Sequence, residues 1–231
     1  MKKEKIIYFS DELNDDFAST NIKQIELGEK FKYMHKNVFF RIFEFIIYYL
    51  FAAPIVWFIQ KFITRQKIVN KKILKKYRNK GYFIYSNHTQ LMSDAFSGPL
   101  MTFPKKCFVI VNPDATSIKG IRLIVQMLGA IPLPKTVKEH RAFMNCIEIR
   151  IKQKSAIMIY PEAHIWPYYT KIRPFKSTSF KYPIKYNTPV FVMTHCYQKS
   201  RFFKRPKIIS IIDGPFFPNN EININEASVK L

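Results

Sequence analysis

Glycine is scarce in this chain, six residues among 231, while phenylalanine reaches 22 and tyrosine 13. A sequence so poor in flexible residues and so aromatic is too hydrophobic to remain disordered. Its length suits one globular domain with an appendage and a sizeable core. Acidic side chains are also few, 16 against 38 bases, for a formal charge of +22. That imbalance implies an anionic partner: a membrane surface, nucleic acid, or a phosphorylated or carrier-bound substrate. The three cysteines, Cys107, Cys146 and Cys196, are odd in number and lie in apolar or helical surroundings, so they read as reduced thiols of a cytosolic compartment. No cleavable signal pattern is expected, since Met1-Lys2-Lys3-Glu4-Lys5 leads only to a short apolar run. There is no repeat, and the tight H-x-x-E-H and C-x-x-C spacings of strong metal sites are missing.

The charge is unevenly spread. Residues 1–30 hold seven acids and five bases, and residues 9–30 read as a surface helix or a mobile lead-in. Residues 45–60 then run sixteen positions without a charge. A full bilayer span needs about 20 apolar residues, so this run spans only if residues 39–43 join it with Arg41 snorkelling. Pro54 is expected to kink the helix or divide it into a hairpin, and Tyr48, Tyr49 and Trp57 are aromatics of the interfacial kind. Residues 61–80 hold nine bases and no acid, read as a polybasic helix. The pairing favours a membrane anchor with the catalytic body on the cytoplasmic side, against a buried core helix followed by a solvated basic one.

Beyond Gly81 short apolar runs alternate with helical patterns. Strands are expected at 82–86, 106–111, 130–133, 156–160, 189–195 and 207–212, and helices at 90–101, 116–128, 137–153 and 176–187. The expectation is an α/β fold: a largely parallel sheet flanked by helices, with an N-terminal hydrophobic membrane-anchoring helix or helical hairpin. Three parts follow: a polar lead-in (1–36), the anchor with its polybasic helix (37–80) and a catalytic domain (81–231).

Two strand ends carry chemistry. The first apolar run stops at Asn87-His88, and Asp94 lies six positions past the histidine. A carboxylate on one ring nitrogen fixes a histidine's tautomer and stabilises its cation, so the pair is a candidate general base and orienter. The plainer alternative is a loop histidine and a helix carboxylate that never meet. The run at 156–160 ends in Pro161-Glu162-Ala163-His164, followed by Arg173-Pro174-Phe175-Lys176. In open α/β sheets the carboxyl edge is where ligands bind.

Together these segments resemble the membrane glycerolipid acyltransferase family, typified by 1-acyl-glycerol-3-phosphate acyltransferase. The family's N-H-x-x-x-x-D motif is matched by Asn87-His88-Thr89-Gln90-Leu91-Met92-Ser93-Asp94, with five residues between His and Asp where the family has four. Its F-P-E-G-T-R motif and following P-F-K are matched by Tyr160-Pro161-Glu162-Ala163-His164 and Pro174-Phe175-Lys176, without the Gly-Thr-Arg. Gly129 to Lys135 and Thr188 to Met193 are similar to the second and fourth motifs. The resemblance implies transfer of a fatty acyl group from acyl-CoA or acyl-carrier protein to lysophosphatidate or a related glycerol phosphate acceptor, with no other cofactor and no metal. It implies His88 as base, oriented by Asp94 or, if Asp94 points away, with Ser93 in the carboxylate's place. Glu162, Asn87, Lys135, Arg173 and Lys176 are candidates for acceptor and phosphate binding. The partners implied are a phospholipid membrane surface and these substrates, at the cytoplasmic side of the cell membrane, and no nucleic acid. His164 and His195 read as structural. Two rivals stand beside this: a metal enzyme using His88, Asp94, Glu162 and His164, and a membrane or nucleic-acid binder whose motifs have decayed.

Overall fold

The computed structural model describes residues 6–18, 27, 31–91, 93–117, 120–201, 203 and 205–219. The lead-in reading of residues 19–26 and 28–30, and the tail from 220 onward, lie outside the described residues. The described lead-in, 6–18, forms no helix. It runs irregularly with a turn at 11–15, where the Asp11 and Asp15 carboxylates accept main-chain N–H groups. Such bonds compete with helix formation.

The uncharged run is one continuous helix, α1 (Val38–Ile63), about 39 Å long at 1.5 Å per residue. No hairpin forms. Wide turns absorb Pro54: the Ala53 N–H reaches back five residues to the Tyr48 carbonyl, so the chain passes the proline without breaking. One side of α1 buries Tyr48, Val56 and Gln60, and Glu44 ties it to Lys106 at 2.7 Å. The other side exposes Phe39, Phe43, Phe51, Ile55 and Phe58. By length and composition α1 could cross a membrane.

The polybasic stretch is not the helix expected from its charge. It opens with strand β1 (Lys67–Val69), followed by a single helical turn, α2 (Lys72–Lys75). Arg65 and Asn70 adopt positive φ on either side of β1 and break any helix there. Ile68 and Val69 pair with Ser210 and Ile211, so β-branched residues took the ladder that the lysines concealed. The sheet therefore begins before residue 81.

The remaining elements are β2 (Tyr82–Ser86), α3 (Asp94–Thr102), β3 (Cys107–Val111), α4 (Arg122–Met127), β4 (Ala130–Pro132), α5 (Val137–Lys152), β5 (Ala156–Ile159), α6 (Lys181–Tyr186), β6 (Val190–Gln198) and β7 (Lys207–Phe216). Seven strands form one sheet in the order β1-β7-β6-β2-β5-β3-β4. The five from β6 to β4 are parallel, and β7 pairs antiparallel with β6. β2 is central, and its side chains divide between two cores. Tyr82 and Ile84 join Met158, Phe191 and Ile212 on one face, while Phe83 and Tyr85 join Phe143, Ile147 and Ile157 on the other. That double burial explains continuous apolar strands. Helix α5 is fixed at its start by a reciprocal Thr136–Glu139 capping box. The helix expected from 90 starts at Asp94, and the one expected over 176–187 is shortened to α6 behind a 3₁₀ turn.

Candidate active site

The site forms where parallel strands β2 and β5 end side by side. β2 stops at Ser86, and Asn87 closes its end against β6. The Asn87 amide donates to the His195 carbonyl at 3.1 Å and accepts the His195 N–H at 2.8 Å. His88 follows the strand end, and α3 begins at Asp94. His88 Nδ1 lies 2.7 Å from Asp94 Oδ2, which also accepts the Gln90 N–H at 3.0 Å. The contact that regular helix geometry could not give arises because Asp94 is the first helical residue, and residues 89–91 and 93 before it lie outside the helix. Ser93 does not replace the carboxylate; its carbonyl accepts the Ser97 hydroxyl.

With Nδ1 committed to the carboxylate, Nε2 is the nitrogen left for a substrate, and the His88 side chain is 16% exposed against 2% for Asp94. Tyr160 stacks on the imidazole, centroids 4.3 Å apart, and its hydroxyl donates to the Asp94 carbonyl. Burial holds that phenol's pKa well above the usual value, so it stays a neutral donor.

A second histidine reaches the other carboxylate oxygen. His195 Nε2 lies 3.5 Å from Asp94 Oδ1. Gln66 donates to the Ser210 hydroxyl at 2.6 Å, and Ser210 lies 2.7 Å from His195 Nδ1. A carboxylate only accepts, so the His195 Nε2 that faces Asp94 carries the ring proton, and Nδ1 then accepts the Ser210 hydroxyl, whose oxygen accepts from Gln66. Burial lowers the His195 pKa, partly countered by Asp94, favouring the neutral ring. In sequence His195 is a strand residue expected to pack in the core. Only the register of β6 on β2, which places Met193 opposite Ser86, brings it to this edge.

Three residues expected to meet substrate are instead turned inward. Glu162 is 2% exposed; one oxygen accepts the His88 N–H at 3.2 Å and the other the Arg173 N–H at 3.3 Å. Arg173 is 1% exposed, its guanidinium lying 3.4 Å from the Glu162 carboxylate and bonding the carbonyls of Glu162, His164 and Glu12. Asn87 is spent on β6. The three placements have one cause: a buried charge or amide must be paired, and here main-chain groups provide the pairs. They hold the loops around His88, and none of the three lines the apolar cavity at the start of α3. Lys135 and Lys176 are exposed, Lys135 just past β4 with its N–H on Glu139 at 2.7 Å. β4 is three strands from β2, or about 14 Å at the usual spacing.

The loop after β5 packs across the His88 loop, with Trp166 and Tyr168 N–H groups on the carbonyls of His88 and Thr89 at 3.0 and 2.9 Å. The acidic lead-in covers this loop: the Trp166 indole donates to the Asp15 carbonyl at 2.7 Å, between Phe9 and Phe17. His164 lies 3.4 Å from Asp16. Among the described residues no three His, Cys, Asp or Glu side chains converge as metal ligands.

Ala163 has φ of 63°, the left-handed region where the resembled motif carries glycine. An L residue there costs about 1–2 kcal/mol, and glycine gives back about 0.5–1 in chain entropy. Ala163→Gly is therefore expected to stabilise the fold by about 0.5 kcal/mol, read as a higher urea midpoint; a lower midpoint would contradict the strained backbone.

An apolar cavity of about 450 Å³ borders the start of α3. Trp57 and Pro54 of α1, Ala95 and Phe96 of α3, and Val125 and Leu128 are among its walls. The two residues that follow Asp94 thus face it.

A mostly parallel α/β sheet with a His–Asp pair at its carboxyl edge and an apolar cavity alongside is the arrangement of an acyl-transfer enzyme. Residues 65–196 match the Acyltransferase family, over half of the chain, and the protein belongs to that family. Its fold is shared with a solved structure, the 1-acyl-sn-glycerophosphate (LPA) acyltransferase PlsC from Thermotoga maritima, at a TM-score of 0.50 and 16% identity, covering 78% of each chain. No curated protein matches it by sequence.

Proposed function

We propose that this protein moves a fatty acyl group from an acyl thioester, acyl-CoA or acyl-carrier protein, to a hydroxyl of lysophosphatidate or a related glycerol phosphate acceptor. The observation that carries this is the 2.7 Å contact of His88 Nδ1 with Asp94, whose two following residues, Ala95 and Phe96, line an apolar cavity. An alcohol becomes a competent nucleophile when a base takes its proton during attack. His88 Nε2 takes it, and Asp94 stabilises the imidazolium that results. The alkoxide adds to the thioester carbonyl, the tetrahedral adduct expels the thiolate, and the proton on His88 leaves with that sulfur. No protein nucleophile is needed, and burial pushes the Cys107 thiol up to about 12, out of nucleophilic range. Exposed Lys135 and Lys176 are the candidates to meet an acceptor phosphate.

The acyl chain suits the cavity behind Ala95. The exposed apolar side of α1 suits one leaflet, since its other side is held on the domain by Tyr48, Val56 and the Glu44–Lys106 pair. Exposed Lys72, Lys75, Lys76, Arg78 and Lys80 follow it and suit anionic lipid of the cytoplasmic face.

The test supplies the full chain, in phospholipid vesicles, with acyl-CoA and acyl-carrier protein and a panel of lysophospholipid and glycerol phosphate acceptors. Acceptor-dependent thiol release and a new ester are expected; their absence with every pair would end the reading. Narrowing the cavity with Ala95→Phe is expected to lower rates with long acyl donors about 10-fold more than with short ones, because each buried CH₂ is worth about 0.8 kcal/mol. An unchanged chain-length profile would move the acyl chain elsewhere.

A further inference from the structure

Beyond Phe96 from the apolar cavity lies a second one of about 340 Å³, and two of the polar side chains that line it make no hydrogen bond in the fold. Gln60 is 2% exposed and Gln90 6% exposed; both line it, and the amide nitrogen and oxygen of each have no hydrogen-bond partner among the described residues. Buried side-chain amides are almost always bonded, and leaving four such atoms bare costs stability. Groups kept at that cost point to a ligand.

The chemistry of the pair narrows what that ligand is. A carboxamide presents N–H donors and a carbonyl acceptor together. A phosphate or carboxylate would satisfy the donors and leave both glutamine carbonyls facing negative charge. A secondary amide, with its own N–H and C=O, satisfies both halves. Between the glutamines the walls are apolar, with Val56, Ile59 and Ile63, so the ligand is an amide-bearing chain with apolar links. Arg205 also lines this cavity and is exposed, placing a cation where the chain would meet solvent.

The position is equally specific. Val56 and Phe96 line both cavities, so the two meet at a shared wall. Ser93, which precedes Asp94, lines the second, and the Gln90 N–H is bonded to Asp94 Oδ2. With the acyl chain in the apolar cavity, the thioester carbon lies near that wall, and whatever follows sulfur continues into the second cavity. We infer that Gln60 and Gln90 bind the amides of the donor's phosphopantetheine arm, with Arg205 on its phosphate. This rests on the acyl-transfer reading, and it serves acyl-CoA and acyl-carrier protein alike, because both carry that arm.

The experiment compares three donors with one acyl chain in vesicles holding the full-length protein: acyl-CoA, acyl-carrier protein and the S-ethyl thioester, which lacks the arm. Gln60→Met and Gln90→Met keep side-chain length and remove the amides. Each is expected to lower the ratio of kcat/KM for acyl-CoA to that for the S-ethyl thioester by about 3- to 10-fold, and the double variant by more. Both natural donors carry the arm, so the ratio is expected to fall with each one that the protein accepts; a fall with one accepted donor and not the other overturns the proposal. Equal losses on all three donors, or a raised KM for the acceptor with the ratio unchanged, overturns it. Thermal unfolding checks the fold, and the variants are expected to be at least as stable as the parent, since bare buried amides are removed. Calorimetric binding of CoA itself needs no turnover. Binding lost in the double variant upholds the pocket even where no acyl transfer is found, whereas absent or unaltered CoA binding overturns it.

Discussion

Replacing His88 by alanine is expected to lower acyl transfer by about 10²- to 10⁴-fold, the range that a positioned general base supplies. The loss should fall on kcat. The His88 ring is 16% exposed and stacked on Tyr160, so truncation removes the proton acceptor and little of the walls that hold the acyl chain. The acceptor's KM is then expected to stay within about twofold, since an interaction made only in the transition state acts on kcat and kcat/KM together. The fold should survive, because the main chain of His88 is independently held by Glu162 and by the Trp166 N–H. Thiol release and ester formation, followed with intact and variant protein at equal vesicle loading, make the measurement. A variant with wild-type kcat would remove His88 from the chemistry.

Much of this arrangement was legible from residues alone, for physical reasons that differ by element. Strands β2, β3 and β5 are buried on both faces and wrote themselves as uninterrupted apolar runs, and each stands within a residue or two of its expected place. β1 was hidden, because three residues are enough to pair with β7 when charged neighbours remain in water. Positive φ at Arg65 and Asn70 is a tertiary outcome with no glycine to announce it. At the site, His88, Asp94 and Glu162 were visible as polar residues at strand ends. What they touch was not. Whether five intervening residues allow contact depends on where the helix starts, and it starts at Asp94. Glu162, Arg173 and Asn87 were visible as polar residues beside a site, while their pairing with main-chain groups depends on loops that no local pattern records. His195 and the bare amides of Gln60 and Gln90 are brought in by packing across distant segments, which no local pattern records.

Asp94→Asn should come second in severity, at about 10²-fold or more in kcat, from both lost charge and wrong tautomer. Asp94 Oδ2 accepts two donors, the His88 ring and the Gln90 N–H, while Oδ1 faces His195 Nε2. An amide has one oxygen for these two places. If the oxygen keeps the Oδ2 position, its NH₂ confronts the His195 N–H, and His195 must move its proton to Nδ1 and reverse its bond with Ser210. If the NH₂ takes that position it opposes the Gln90 N–H and drives the His88 proton onto Nε2, the nitrogen that has to accept one from substrate. Either way the imidazolium loses its counter-charge. Because Asp94 acts through the ring, its effect should vanish once the ring is gone. His88→Ala with Asp94→Asn is expected to be no slower than His88→Ala alone, within about twofold. Losses that multiply in the double variant would mean that the carboxylate acts on the substrate by a path of its own.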